Sequence, residues 1–286
     1  MKIDGKRARE YLSFAMDESL AEHDDRYHDG HFDPNKGTCG KREGMSGGDD
    51  SDNLGGEDPD ERTTKLAPNG KRSNLTNRQY AQVRSKEFKA WFGDWENNPE
   101  RASKVVDENG EPLVLFHGTR DASFHAFSHA RVGAWNFGFH FGTRHAAETR
   151  VEKDGHFKQC FLNVRNPFRC SDGFGIPKAL VFDELADVAR KAGKDDIEMD
   201  LVKCGDRAEG LWENGFEDED RVSRECTKVF LDALAKLGFD GIVYENEYEE
   251  DERLGEDSWM TVLPVQAKSA TDNQGKFSPD DADMRR

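Results

Sequence analysis

The run Leu113-Val114-Leu115-Phe116-His117-Gly118-Thr119 decides how this chain is read. Four apolar residues leading into a histidine and a glycine describe a short buried strand that ends in a turn. Just upstream, Asp107-Glu108-Asn109-Gly110-Glu111-Pro112 has the composition of a hairpin-type turn. Downstream, Phe137 to Phe141 reads as a second strand, with Phe139 and Phe141 on one face and His140 on the other. Thr143 then caps a short helix through His145 to Arg150. Gln159 to Phe168 is a strand stopped at Asn166-Pro167. Helices are expected over Pro177 to Ala192 and from about Asp220 to Leu237, the second halted by Gly238. Strands over Phe239 to Tyr244 and Ser258 to Val265 complete the set. Strands outnumber helices and do not alternate strictly with them, which predicts a mixed α+β fold rather than a doubly wound parallel sheet.

Upstream of that core, Thr76 and Gln79 fit a capping box. Tyr80, Val83, Phe88, Trp91, Phe92 and Trp95 follow at near-helical spacing, so one or two helices are expected as a domain brace. Residues 5–22 carry Tyr11, Leu12, Phe14, Ala15, Met16 and Leu20, enough for a short helix within 1–22. From His23 to Arg72 apolar residues nearly vanish and Gly, Asp and Pro dominate. Such a stretch buries too little surface to offset its ordering entropy, and residues 23–72 are expected to be a disordered acidic linker. The domain proper is placed at 73–275, with 276–286 as a flexible tail.

Composition narrows the function classes. Of 286 residues, 35% are hydrophobic and 35% charged, with a formal net charge of -17. No apolar window approaches membrane-spanning length, and the N-terminus lacks an apolar signal core, so a cytoplasmic protein without membrane contact is expected. The acidic balance and the lack of a long basic run argue against a general nucleic-acid binder. Cys39, Cys160, Cys170, Cys204 and Cys226 are widely spaced and odd in number, which suits free thiols in a reducing compartment. His23, His28, His31 and Cys39 match no metal-ligand spacing, and no metal is expected.

Three segments have residue types suited to chemistry. In the first, a histidine at a strand end (His117) can hold a ligand hydroxyl with one ring nitrogen while a backbone group fixes the other. The glycine after it (Gly118) lets a ligand reach the backbone, whose N–H and C=O match the donor and acceptor of a carboxamide. In the second, Phe139, His140 and Phe141 offer planar side chains for stacking on a flat ring. The third, Tyr244 to Trp259, holds eight acids and one base between Glu245 and Asp257. A carboxylate from such a loop can stabilise an oxocarbenium-like transition state at a sugar carbon. Each segment alone also fits a structural role: a strand-end turn, a pair of core phenylalanines, a solvated acidic loop.

The ordered set carries more than its parts. His117-Gly118-Thr119, then Gly138-Phe139-His140-Phe141-Gly142-Thr143 with Ala146-Ala147, then Phe161 to Pro167, then Gly238 to Glu247, then Gln266 to Ala270 resembles the ADP-ribosyltransferase-like domains of phage and prophage polyvalent proteins. The flanking pieces Phe88 to Trp95 and Asp272 to Arg285 resemble that family too, so the likeness runs from about Asn74 to Arg286. More distantly, the first two motifs are similar to those of the poly(ADP-ribose) polymerase and diphtheria-toxin branch.

The resemblance implies a split, twisted antiparallel sheet with flanking helices and NAD, as substrate, in the cleft between its halves. It implies that His117 holds the NAD ribose hydroxyls, Gly118 the nicotinamide carboxamide, and Thr119 the turn. His140 falls where the distant branch has a stacking tyrosine, and Thr149 or Arg150 near its second aromatic. Alignment on Gln266 puts Ser258 at the distant branch's catalytic glutamate. The phage-type pattern instead places the glutamate in the acidic loop, at Glu247 first and Glu249 second.

The expected activity is a phage- or prophage-encoded mono-ADP-ribosyltransferase acting in the bacterial host cytoplasm, or carried there with the phage particle. Its acceptor would be a host protein or nucleic acid. Two alternatives stand beside it. One is an inactive NAD-binding or interaction module. The other is a small phage effector nuclease using His117 and His140 as acid and base.

Overall fold

The computed structural model describes residues 62–151, 155–172, 179–213, 218–246 and 256–286. The expected N-terminal helix, most of the expected linker, and both Glu247 and Glu249 lie outside the described residues. Among the described residues there are six α-helices and seven strands: α1 (Asn77–Val83), α2 (Lys86–Phe92), β1 (Leu115–Thr119), β2 (Phe139–Phe141), α3 (Arg144–Thr149), β3 (His156–Leu162), β4 (Pro167–Cys170), α4 (Ala179–Lys191), α5 (Asp195–Glu213), α6 (Glu219–Lys236), β5 (Gly241–Glu245), β6 (Asp257–Thr261) and β7 (Ala267–Ser269).

The strands form two sheets. One is antiparallel in the order β1-β3-β7, and the other runs β2-β6-β5-β4. This is the expected α+β architecture with a split sheet, with one departure: β4 pairs with β5 in parallel. Pro167 was expected to stop a strand. Instead it opens β4, an edge strand, where a missing N–H costs no ladder bond. Among the described residues one backbone bridge joins the sheets. Phe116 and Gly142 exchange both backbone hydrogen bonds, N to O at 2.9 and 3.0 Å.

Three apolar clusters hold this frame. Helices α4–α6 bury Phe182, Leu185, Leu201 and Phe230 against Ile242 and Met260 of the larger sheet. Leu115, Phe127, Phe139, Phe141, Cys160 and Trp259 fill the space between the sheets. The brace packs Phe88, Trp91, Phe92 and Trp95 on Phe161 and Phe277. The capping box of Thr76 and Gln79 forms as expected, and Gly238 follows α6 with φ +90°, a backbone region that suits glycine. Gln266 ties the sheets' connections together. Its Oε1 accepts from the N–H groups of Val262 and Leu263, and its Nε2 donates to the carbonyls of Asn163 and Asp240 at 3.0 and 2.6 Å.

Two boundary expectations are corrected. Residues 62–72, assigned to the linker, fold back on the brace: Arg62 bridges Thr76, Leu66 bridges Arg72, and the Tyr80 hydroxyl donates to the Leu66 carbonyl. The expected flexible tail is packed as well, because Phe277 and Met284 are buried at 1% and 3% exposure in two different clusters. Two such anchors suffice to order a polar segment that shows no periodic pattern.

Candidate functional site

Strand β1 pairs with β3 through Leu115, His117 and Thr119 opposite Cys160, Lys158 and His156. Backbone groups on a strand alternate sides. Because both polar groups of Phe116 point to β2, those of Gly118 point the same way. The next antiparallel pair in that register would be Gly118 with His140, but it does not form. The His140 carbonyl instead meets Nδ1 of His117 at 2.8 Å, and beyond that contact β1 and β2 part. Among the described residues no strand pairs with the outward edge of Gly118. Its N–H and C=O therefore point to the β2 side with no strand partner among the described residues.

The same contact fixes the chemistry of His117. A carbonyl only accepts, so Nδ1 carries the proton. Burial lowers the ring's pKa below the ordinary histidine value of 6.5, which leaves Nε2 as a lone-pair acceptor at neutral pH. The ring is gripped edge-on by Phe127 at 4.9 Å and Phe124 at 6.3 Å, with Phe141 tilted at 5.6 Å. Thr119 closes the strand by donating from its hydroxyl to the Asp121 carbonyl.

Gly118 is also required for packing. A Cβ there would stand 2.7 Å from the Ala147 carbonyl of α3 and 2.9 Å from Val151. Its bare face is thus occupied by α3, and only its backbone edge remains for a ligand. Phe139 and Phe141 are core side chains, 4% and 2% exposed, and so present no ring for a ligand to stack on.

His140 lies on the opposite face of β2 and belongs to a polar relay. Asn246 Nδ2 donates to Ser258 Oγ at 3.0 Å, and the Ser258 hydroxyl bonds the Tyr244 phenol. The phenol lies 3.2 Å from His140 Nδ1, and His140 Nε2 lies 3.0 Å from Asn136 Oδ1. Burial, aided by Asp172, pushes the Tyr244 pKa up to about 12. The phenol therefore stays protonated and can donate to Nδ1, leaving Nε2–H to donate to the amide oxygen. Ser258, 4% exposed, sits inside this relay, directly beneath Gly142. Tyr244, Asn246 and Asn136 were missed as candidates. Tyr244 and Asn246 stood within quoted motifs, but only the β5–β6 register, which sets Tyr244 opposite Ser258, shows their role.

The relay lies at the two ends of the acidic segment. Asn246 ends β5's side of it and Glu256 begins β6's side, and the Asn246 N–H bonds the Glu256 carbonyl at 3.3 Å. Asp257 at the loop's end is held by Arg169 through two contacts of 2.9 and 2.6 Å. The segment bearing Glu247 and Glu249 thus springs from the network that holds Ser258. Among the described residues no group of three or more potential metal ligands is found, and no helix is long and apolar enough to cross a membrane.

Comparison with known proteins agrees with this arrangement. The family model described as ADP-ribosyltransferase in polyvalent proteins matches residues 107–277, from the turn before β1 to the brace contact Phe277. No curated protein and no solved structure matches the chain significantly. With more than half of its 286 residues matched, and with the strand-end histidine and glycine at the split between two sheets, the chain belongs to the ADP-ribosyltransferase family of polyvalent proteins.

Proposed function

We propose that this protein is a mono-ADP-ribosyltransferase that cleaves the nicotinamide–ribose bond of NAD and transfers ADP-ribose to a macromolecular acceptor. The observation that carries the reading is the edge of Gly118, which no strand pairs among the described residues, beside the Nδ1-protonated ring of His117. The Gly118 N–H would donate to the carboxamide oxygen and its C=O accept from the carboxamide nitrogen. His117 Nε2 would accept from a ribose hydroxyl.

In the reaction the C–N glycosidic bond breaks and its electron pair stays on nicotinamide, which leaves neutral. Positive charge develops on the ribose ring in an oxocarbenium-like transition state, and a nearby carboxylate stabilises it. An acceptor nucleophile then bonds the anomeric carbon and gives up its proton. Glu247 is the proposed carboxylate, with Glu249 second, because the family pattern puts its glutamate in this acidic segment and Asp257 is engaged with Arg169. Ser258 is a positioning residue for that root, and no nucleophilic role is assigned to it.

The polyvalent-protein family supports an origin in a phage or prophage, with a bacterial cytoplasm as the place of action and a host protein or nucleic acid as acceptor. The nuclease alternative loses its footing. His117 packs against Phe141, while His140 is next to Phe141 on the strand and faces Tyr244, so the two imidazoles lie on opposite faces and do not converge on one scissile bond.

Incubation with adenine-labelled NAD and a bacterial lysate tests the reading. Label should pass to a lysate macromolecule with the parent protein and not with Glu247→Gln, whose NAD affinity should be unchanged. Transfer by Glu247→Gln at the parent rate would move the role to Glu249. Saturable NAD binding with no transfer and no nicotinamide release would make the domain an inactive NAD-binding relative.

A further inference from the structure

We propose that the C-terminal strap Asp281–Arg286, which lies beyond the family-matched residues, is a positioning element that holds His117 in its NAD-binding orientation, with Lys268 as its buried anchor. This rests on the reading of His117 as a ligand-binding residue.

Lys268 on β7 is 0% exposed, and its ammonium donates to the carbonyls of Asp281 at 2.6 Å and Asp283 at 3.2 Å. A buried ammonium with backbone carbonyls as its hydrogen-bond acceptors is costly to keep and fixes the segment that satisfies it. The strap then pairs on both sides. Ser269 N–H and Asn273 Nδ2 donate to the Met284 carbonyl at 2.9 and 3.0 Å, and Met284 N–H donates to the His125 carbonyl at 2.7 Å.

His125 lies between Phe124 and Phe127, the two rings that grip His117 edge-on. The Met284 side chain lies in the same cluster as Phe127 and Phe141, with its sulfur 3.9 Å from Cys160 Sγ. A continuous path of hydrogen bonds and packing therefore runs from Lys268 through Met284 and the 124–127 loop to the His117 ring. Without the strap, the described residues offer that loop no backbone partner at His125. The ring would then be free to leave the His140 carbonyl and exchange tautomers.

The test uses the full chain labelled with nitrogen-15 in histidine, together with NAD titration. Lys268→Met removes the anchor charge and Met284→Ala removes the packed side chain. Val181→Ala, in the helical cluster away from His117, serves as a control of comparable destabilisation. In the parent, His117 should show one neutral tautomer with the proton on Nδ1. In both strap variants, still folded, its nitrogen resonances should move toward the tautomer average and the Kd for NAD should rise about fivefold, the worth of one well-aligned hydrogen bond. The control should change neither. If Lys268→Met does not fold, Met284→Ala decides alone. A folded strap variant with parent-like His117 resonances and parent-like NAD affinity overturns the proposal. Tautomer averaging in a chain whose parent binds no NAD would leave the strap's role standing and sink the NAD reading instead.

Discussion

Replacing His117 by phenylalanine separates its ligand role from its packing role. The ring's contacts with Phe124, Phe127 and Phe141, at 6.3, 4.9 and 5.6 Å, are available to a phenyl group of similar shape. An alanine would forfeit them, and edge-to-face contacts contribute about 0.5–1.5 kcal/mol each beyond burial. Alanine would therefore confuse unfolding with loss of function. Phenylalanine keeps a planar ring, one atom larger, and removes both nitrogens. Loss of Nδ1 strips the His140 carbonyl of a 2.8 Å partner, at about 1–3 kcal/mol. In a domain of this size that lowers Tm by about 2–12 °C. Loss of Nε2 leaves a ribose hydroxyl facing carbon, again about 1–3 kcal/mol, so the Kd for NAD should rise by about fivefold to a hundredfold. Calorimetric titration beside a thermal melt reads both. A variant that melts lower yet binds NAD as tightly as the parent would refute the role of Nε2.

Three further outcomes follow from the same geometry. Gly118→Ala should fail in both respects. Its Cβ meets a backbone oxygen of α3 at 2.7 Å, so β1 and α3 must separate at about 1–3 kcal/mol, and thermal melts and NAD titration should both fall while Gly193→Ala leaves NAD binding alone. Gln266→Leu should cost more than about 3 kcal/mol in denaturant unfolding, because four backbone groups lose their partners at a position 1% exposed. Burial depresses the pKa of His117 and His129, so below pH 6.5 the unfolded chain takes up protons that the folded one resists. Stability should fall as pH drops from 6.5 toward the folded values, and His117→Phe should show a shallower fall in Tm between pH 7.5 and 5.5.

Much of the fold was legible because its strands are short apolar runs with clear punctuation. Leu113 to Thr119, Phe137 to Phe141 and Phe239 to Tyr244 all became strands near the expected places. Helix α5 was passed over. Its apolar stripe of Ile197, Leu201, Cys204, Ala208 and Leu211 has helical spacing, but it is narrow and set among acids and two glycines, and packing on α4 rather than propensity decides it. The tail misled for the opposite reason, since Phe277 and Met284 are too far apart to form a pattern and find their clusters only in three dimensions. For the candidate site, the place of His117-Gly118 at the end of a strand could be read from the chain. The splayed register that frees the Gly118 edge could not, because it depends on where β2 leaves β1. Phe139 and Phe141 were placed on one face correctly, but the sequence did not say that this face is the core.

The central claim is that the backbone edge of Gly118 takes the carboxamide of NAD and that the bond to nicotinamide is broken there. The most direct measurement is nicotinamide release from NAD by the purified chain, with and without bacterial lysate. The account predicts release that increases when lysate supplies an acceptor and that falls in His117→Phe. Neither release nor saturable NAD binding, under either condition, would contradict it.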